Sequence, residues 1–344
     1  MSVEDALTRK QVLNQRFASS LAIKYGKEIA ALYARIAARM VREPNQVRLA
    51  RIADDLNRIL NLGFREMSQE INQDVLDFAV DESEFAVGVF NNNSQVPFRI
   101  PDLPAIQRAL ANNALSVPVG PSDLTMQEAL EQFAEARTLE IRQVITDSAL
   151  LGETVPETAK KIRSIATKRP KQQVDALVRT LTNHAASQAR KVVVDAHKNL
   201  FQGEEWVATL DSRTTLICGG RDGTIYPVGK GPYPPAHWNC RSLRTPVLKE
   251  EFQSVSQAAR RKSDGDKKKT LSGRTGFDGW LRSQSAGFQD EYFSQFPDGL
   301  EKAKLFRLGD LEIQRFRDET GRNYTLEQLR ALNPIAFQDA NIEI

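Results

Sequence analysis

Residues 211–242 read DSRTTLICGGRDGTIYPVGKGPYPPAHWNCRS, and this stretch decides what the rest of the chain is built around. Both cysteines of the sequence, Cys218 and Cys240, fall inside it, and five Gly and four Pro lie between them together with His237. Gly and Pro at that density punctuate helices and strands, so the stretch predicts a folded loop or short β unit with closely specified turns. On either side, residues 206–210 (WVATL), 224–226 (TIY) and 244–248 (RTPVL) have the β-branched and aromatic content of short strands.

Working towards the N-terminus, the period changes from two to three and four. Val174, Leu177, Val178, Leu181, Ala185, Val192, Val193 and Ala196 mark a long helix over about residues 172–200, preceded by a helix from Thr154 to about Thr167. Thr154 with Glu157 forms a capping-box pattern, and Gly152 closes a helix over 125–151. Further back, Leu13, Phe17, Leu21, Tyr25, Ile29, Leu32, Ile36 and Met40 describe one helix face, and Leu49 to Phe78 repeat the pattern after a break at residues 43–45. Two such stripes predict an antiparallel helical hairpin. An Asn run at 91–93 and Pro97, Pro101, Pro104, Pro118 and Pro121 predict an irregular connector around a short helix near 105–114.

Towards the C-terminus, residues 259–274 hold seven Lys or Arg against two Asp. Such a run predicts a solvated basic loop. Phe277, Trp280, Leu281, Phe288, Tyr292 and Phe293 then restore an aromatic helical pattern, and Thr325 opens the last helix. The fold class expected is α+β, predominantly helical, with a long N-terminal helical hairpin and a small antiparallel β unit around the Cys/His region. Its expected divisions are a hairpin over 1–90, a Pro-rich connector over 91–124, a helix-plus-sheet domain over 125–250, a basic loop over 251–276 and a helical extension over 277–344.

Composition narrows the function classes. A net charge of +3 and a pI near 8.8 are too slight a bias to imply nucleic acid by themselves. The sequence offers no apolar run of membrane-spanning length, and its N-terminus lacks the order of a secretion signal. The expected location of synthesis and assembly is therefore the cytosol, with no membrane partner. Two cysteines in 344 residues make no disulfide framework. They are inert core residues, a transient pair or metal ligands.

Cys218, His237 and Cys240 supply three of the four donors of a tetrahedral zinc site, with Asp211 or Asp222 as candidates for the fourth. The competing reading is a buried apolar thiol pair, with His237 bonded to a backbone carbonyl. Asp211, Arg213 and Arg241 read as a salt-bridge set that pins a turn. Catalysis by a Cys–His pair needs an exposed, activated thiol. With His184 and His197 both on helices, the acid–base inventory is thin, so the chain is expected not to be an enzyme and to need no cofactor, zinc being the metal its thiols would suit.

The residues also carry a resemblance. Trp206, Asp211, Arg213, Thr214, Cys218, Asp222, Gly223, Pro234, Pro235, His237, Cys240 and Arg241 stand in the order and spacing of the Mu F-like minor head proteins of tailed bacteriophages, the head morphogenesis family. The helix before them resembles the family's Arg-Thr helix through Arg179, Thr180 and Asn183, and the likeness extends over about residues 130–335. Many relatives read Cys-x-x-Cys and Cys-Arg-Cys, whereas this chain has Thr215 and Ser242 at the two extra positions.

The resemblance implies a structural minor capsid protein, assembled in the host cytoplasm and found in the virion, at the head or portal vertex. It implies the portal protein or the major capsid protein as partners; the long helices of 1–90, which the motifs do not cover, offer extended faces for such a partner. Packaged double-stranded DNA is a further implied contact, and the basic run of Arg260, Arg261, Lys262, Lys267, Lys268, Lys269 and Arg274 is the segment whose charge suits it, without sequence preference. Two rival readings are an internal protein ejected with the genome and an enzyme, nuclease or ADP-ribosyltransferase-like, built on the same domain.

Overall fold

Ser2 starts the first helix by accepting the Asp5 amide at 3.1 Å, and Glu4 and Asp5 place negative charge on the helix's positive end. In the computed structural model, which describes residues 1–42, 46–115, 117, 124–253, 260–261, 270–271, 276–318 and 320–343, this helix, α1, spans Val3–Val41. From Leu21 to Met40 its apolar stripe is buried as the spacing requires. Leu13 departs from it and is 54% exposed, because Gln11 and Asn14 take the inner face there and reach Asn183 and Glu82.

The second helix, α2, runs Gln46–Asn93 and lies antiparallel on α1, with Phe17 stacked on Phe78. It passes the boundary expected at residue 90. The Asn run closes the helix rather than starting an irregular stretch: Asn93 donates to the Val89 carbonyl, and Asn91 both accepts from and donates to the Phe98 backbone. A short helix, α3 (Leu103–Asn112), follows with Asp102 as its cap, and α4 (Met126–Leu150) opens on a capping box of Thr125 and Glu128.

The two helices expected over 154–200 are one, α5 (Val155–Ala196), with Pro170 in its interior. A proline removes one helical hydrogen bond, but Ile162 before it and Val174, Leu177 and Val178 after it are buried in the same core. Burial of both flanks outweighs the missing bond. That core draws on all five helices, so the N-terminal hairpin and the α4–α5 region share one apolar interior.

After α5 comes the sheet, ordered β2-β1-β3 and antiparallel: β1 (Phe201–Val207), β2 (Ile225–Tyr226) and β3 (Leu243–Leu248), with Glu204 opposite both Tyr226 and Pro246. The strand expected at 206–210 thus begins earlier and ends at Val207. Ala208 leaves the ladder because its amide donates to the Asp222 carboxylate instead. A six-residue helix, α6 (Leu216–Arg221), sits between β1 and β2.

In the basic segment, β4 (Arg260–Arg261) pairs antiparallel with β5 (Thr270–Leu271). Lys262, Lys267, Lys268, Lys269 and Arg274 lie outside the described residues. The C-terminal helices α7 (Phe277–Arg282), α8 (Ala286–Ser294), α9 (Gly299–Arg307), α10 (Leu326–Leu332) and α11 (Pro334–Asp339) enclose a second core. Thr325 caps α10, and a further helix follows, since Pro334 opens α11. Leu210 and Leu216 of the β unit belong to this aromatic core, which seats the extension on the Cys/His region. No helix among the described residues is long and apolar enough to cross a membrane.

Candidate functional site

Cys218 lies on α6 and Cys240 follows the Pro-rich loop, 22 positions later, yet the fold brings their sulfurs to 3.7 Å. His237 Nε2 is 3.2 Å from the Cys218 sulfur, and the three donor atoms all lie within 4.8 Å of one another. Both thiols are buried, against Trp206, Ala208 and Ala236. The Trp238 carbonyl can only accept, so His237 Nδ1 carries the proton in their 2.8 Å hydrogen bond, and Nε2 is left facing the sulfurs. Burial disfavours charge on all three groups. Their mutual hydrogen bonds then divide the thiols, holding Cys240 well below and Cys218 well above the ordinary thiol range.

The three side chains fit three corners of a tetrahedral soft-metal site. A Zn–S bond of about 2.3 Å gives a tetrahedral S···S edge of about 3.8 Å, close to the separation found, and a histidine oriented by a backbone carbonyl is the usual support for a ligating imidazole. Neither carboxylate considered for the fourth corner is placed to serve. Asp211 is gripped by both guanidinium nitrogens of Arg241, one at 2.6 Å, and accepts from the Arg213 amide at 3.0 Å. Asp222 accepts from the amides of Ala208 and Phe277, each at 2.6 Å. The Thr215 hydroxyl is spent on the Cys218 amide, which it accepts at 3.5 Å as the cap of α6, and Ser242 is buried.

The remaining motif residues hold the loops. Asp211 accepts the Arg213 amide in an Asx turn, Thr214 donates to the Thr209 carbonyl, and Asp211 is buried. Burial raises the Asp211 pKa, but Arg241 and Arg213 more than reverse this and hold the carboxyl below its ordinary value. Gly223 adopts φ +78°, the conformation that lets its amide return to the Trp206 carbonyl at 2.8 Å and lay β2 beside β1. A side chain at Gly219 would strike the Phe277 ring at 2.6 Å, so the close packing of α7 on α6 requires a residue without one there.

From α5, Thr180 accepts the Asn239 amide at 3.0 Å and Asn183 donates to the carbonyls of Cys240 and Ser242 at 2.9 and 3.3 Å. Gln11 of α1 donates to Asn183 Oδ1 and to the Arg241 carbonyl. Arg179 of α5 turns away and bonds Gln15, Ser19 and Asp175. Asn183→Ala is expected to cost about 1–3 kcal/mol, because two buried carbonyls and Gln11 lose their partner at once. Urea unfolding of the variant measures it, and a loss below a few tenths of a kcal/mol would show that the loop holds itself.

Sequence reasoning missed the second anchor of this unit, Glu204 and Arg244, which are 3.2 Å apart and nearly fully buried. Arg244 lies between the rings of Tyr226 and Tyr233, at 5.0 and 4.0 Å from their centroids, and donates to the Lys230 and Pro232 carbonyls. One guanidinium thereby ties β1, β2, β3 and the Pro-rich loop together. Only the alternation of charged and aromatic residues hinted at it, since the pairing is set by strand register.

Buried thiols, a bonded imidazole and fully engaged carboxylates describe a unit that is fastened. No curated protein and no solved structure matches the chain. The family model of the Phage Mu protein F like protein matches residues 139–244, from the middle of α4 through α5, the Cys/His loop and the start of β3. Residues 139–244 thus match the Mu F-like phage head morphogenesis family, and that match points to a structural phage protein.

Proposed function

We propose that the chain is a structural minor component of a tailed-phage head that joins the portal vertex during assembly. The family match over residues 139–244 carries this reading. The site supports it: Cys218 and Cys240 are buried with His237 half-buried beside them, and Asp211 and Arg241 neutralise one another, so the chemistry available is that of a clamp. Zinc, if bound, would be held by Cys218, His237 and Cys240 and would supply cross-linking of α6 to the Pro-rich loop. Contact with packaged DNA is proposed for the basic segment that contains Arg260 and Arg261, through phosphates and without sequence preference.

Cross-linking mass spectrometry on assembled heads tests this proposal. Peptides of this chain are expected joined to the portal protein, at a small number of copies per particle. Absence from purified heads, or turnover of a nucleic acid or dinucleotide by the purified protein that His237→Ala abolishes, would overturn it. Loss of the protein from particles that have emptied their DNA would assign it to the ejected class instead.

A further inference from the structure

Charge is segregated between the two helices of the N-terminal hairpin. From residue 6 to 42 the chain has eight Lys or Arg and one acid, Glu28, whereas from 66 to 98 it has seven Asp or Glu and no base. The solvent side of α1 presents Arg16, Lys27 and Arg35, and that of α2 presents Glu66, Asp77, Asp81 and Glu84. Arg16 and Lys27 have no carboxylate partner among the described residues. The two faces adjoin along one seam, where Lys24 of α1 meets Glu70 and Asp74 of α2 at 3.4 and 3.0 Å. A basic stripe and an acidic stripe therefore run side by side on one continuous surface.

Duplex DNA fits this surface poorly. A polyanion laid along α1 would lie about one helix diameter, roughly 10 Å, from the acidic stripe, a separation comparable to the screening length at ordinary salt. The surface instead suits a partner with the pattern reversed, and this chain itself carries that pattern. We propose that the outer face of the α1–α2 hairpin binds a second copy of the chain, about a two-fold axis that runs along the hairpin between the helices.

That axis sets α1 of each copy over α2 of the other at the same height, while any arrangement with α1 over α1 opposes like charges. Heights are read from the intramolecular contacts: Phe17 with Phe78, Asn14 with Glu82 and Lys24 with Asp74. By that register Arg16 faces Asp81 of the second copy and Lys27 faces its Glu66 and Glu70. The exposed Leu13 and Ile23 give the basic stripe an apolar component to bury. The segregated stretch is about 30 Å long and about two helix diameters wide, so it buries roughly 1,200 Å² in total, the lower edge of stable interfaces. A dimer of micromolar strength that weakens with salt follows.

Sedimentation of the full chain at about 50 mM and about 500 mM salt tests it. A dimer is expected at low salt and a monomer at high salt. Arg16→Glu with Lys27→Glu, and separately Glu66→Lys with Asp81→Lys, are each expected to weaken self-association at least tenfold at low salt. Mixing the two variants is expected to restore a one-to-one dimer, and circular dichroism checks that both keep the wild-type helix content. A monomeric wild type at low salt, or a mixture that stays monomeric, overturns the proposal. So does a dimer indifferent to both charge reversals, including one where Arg16→Glu with Lys27→Glu abolishes retention of duplex DNA instead.

Discussion

Arg190→Met is expected to destabilise the protein by about 3–5 kcal/mol, because it removes the one hydrogen-bonded counter-charge of the buried Glu82 among the described residues, leaving only Lys10 at 3.9 Å. Arg190 Nη1 lies 2.6 Å from Glu82 Oε1, and the two side chains are 4% and 0% exposed. Asn14 donates to the other carboxylate oxygen at 3.0 Å, and Lys10 is 3.9 Å away, too far for a hydrogen bond. This pair joins α5 to α2 and, through Asn14, to α1, so its loss is felt where three helices meet. Denaturant unfolding should show the full cost in the midpoint, with a drop in melting temperature of about 5 °C for a chain of this length. Glu82→Leu added to Arg190→Met should recover most of the loss, since a well-packed apolar pair avoids the desolvation of two ions. Lys24→Ala, at a largely exposed bridge, should cost under about 1 kcal/mol. A single variant no worse than Lys24→Ala would mean that Glu82 takes up a proton or finds water when its partner goes.

The second large effect is on acid stability. His184 is 1% exposed on α5, and among the described residues its Nε2 has no hydrogen-bond partner. Burial pushes its pKa from 6.5 down to about 4, only partly countered by a hydrogen bond to the Asn113 backbone. The folded state therefore holds this imidazole neutral where the unfolded chain protonates it. Its contribution is complete above about pH 6.5 and is lost as pH falls towards 4, an effect on the order of a few kcal/mol. His237 works the other way: burial lowers its pKa, but contact with Cys240 raises it more, so it favours the fold at lower pH. Comparing wild type with His184→Gln isolates the buried imidazole. Wild-type stability should fall between pH 7 and pH 4.5 more than that of the variant, and parallel curves would show that His184 is reached by solvent. Asp211, held low by Arg241, adds a separate loss only below its ordinary value of 3.8.

Much of this was legible in the chain. The stripes that form α1 and α2, the capping box of Thr154, the helix starts at Thr125 and Thr325, and the presence of three short strands around the Gly/Pro region follow from local spacing, though the first strand lies earlier than expected. So does the clustering of Cys218, His237 and Cys240, because Gly and Pro at that density fold a loop back on itself. What failed locally failed for tertiary reasons. Pro170 reads as a helix end, and a shared core on both sides carries the helix through it. Leu13 reads as core, and Gln11 and Asn14 displace it because polar partners wait on α5 and α2.

The sequence by itself determined the helix periodicity, the short strands and the family pattern, since each is carried by residue types and spacings along the chain. Only the tertiary structure decided which charges are buried, which carboxylates are already engaged, and which faces of α1 and α2 remain open to solvent. Glu82 finds Arg190 from 108 positions away, and Gln11 finds Asn183 from 172. Such pairs are selected by helix packing and desolvation, and no pattern along the chain encodes a distance through space.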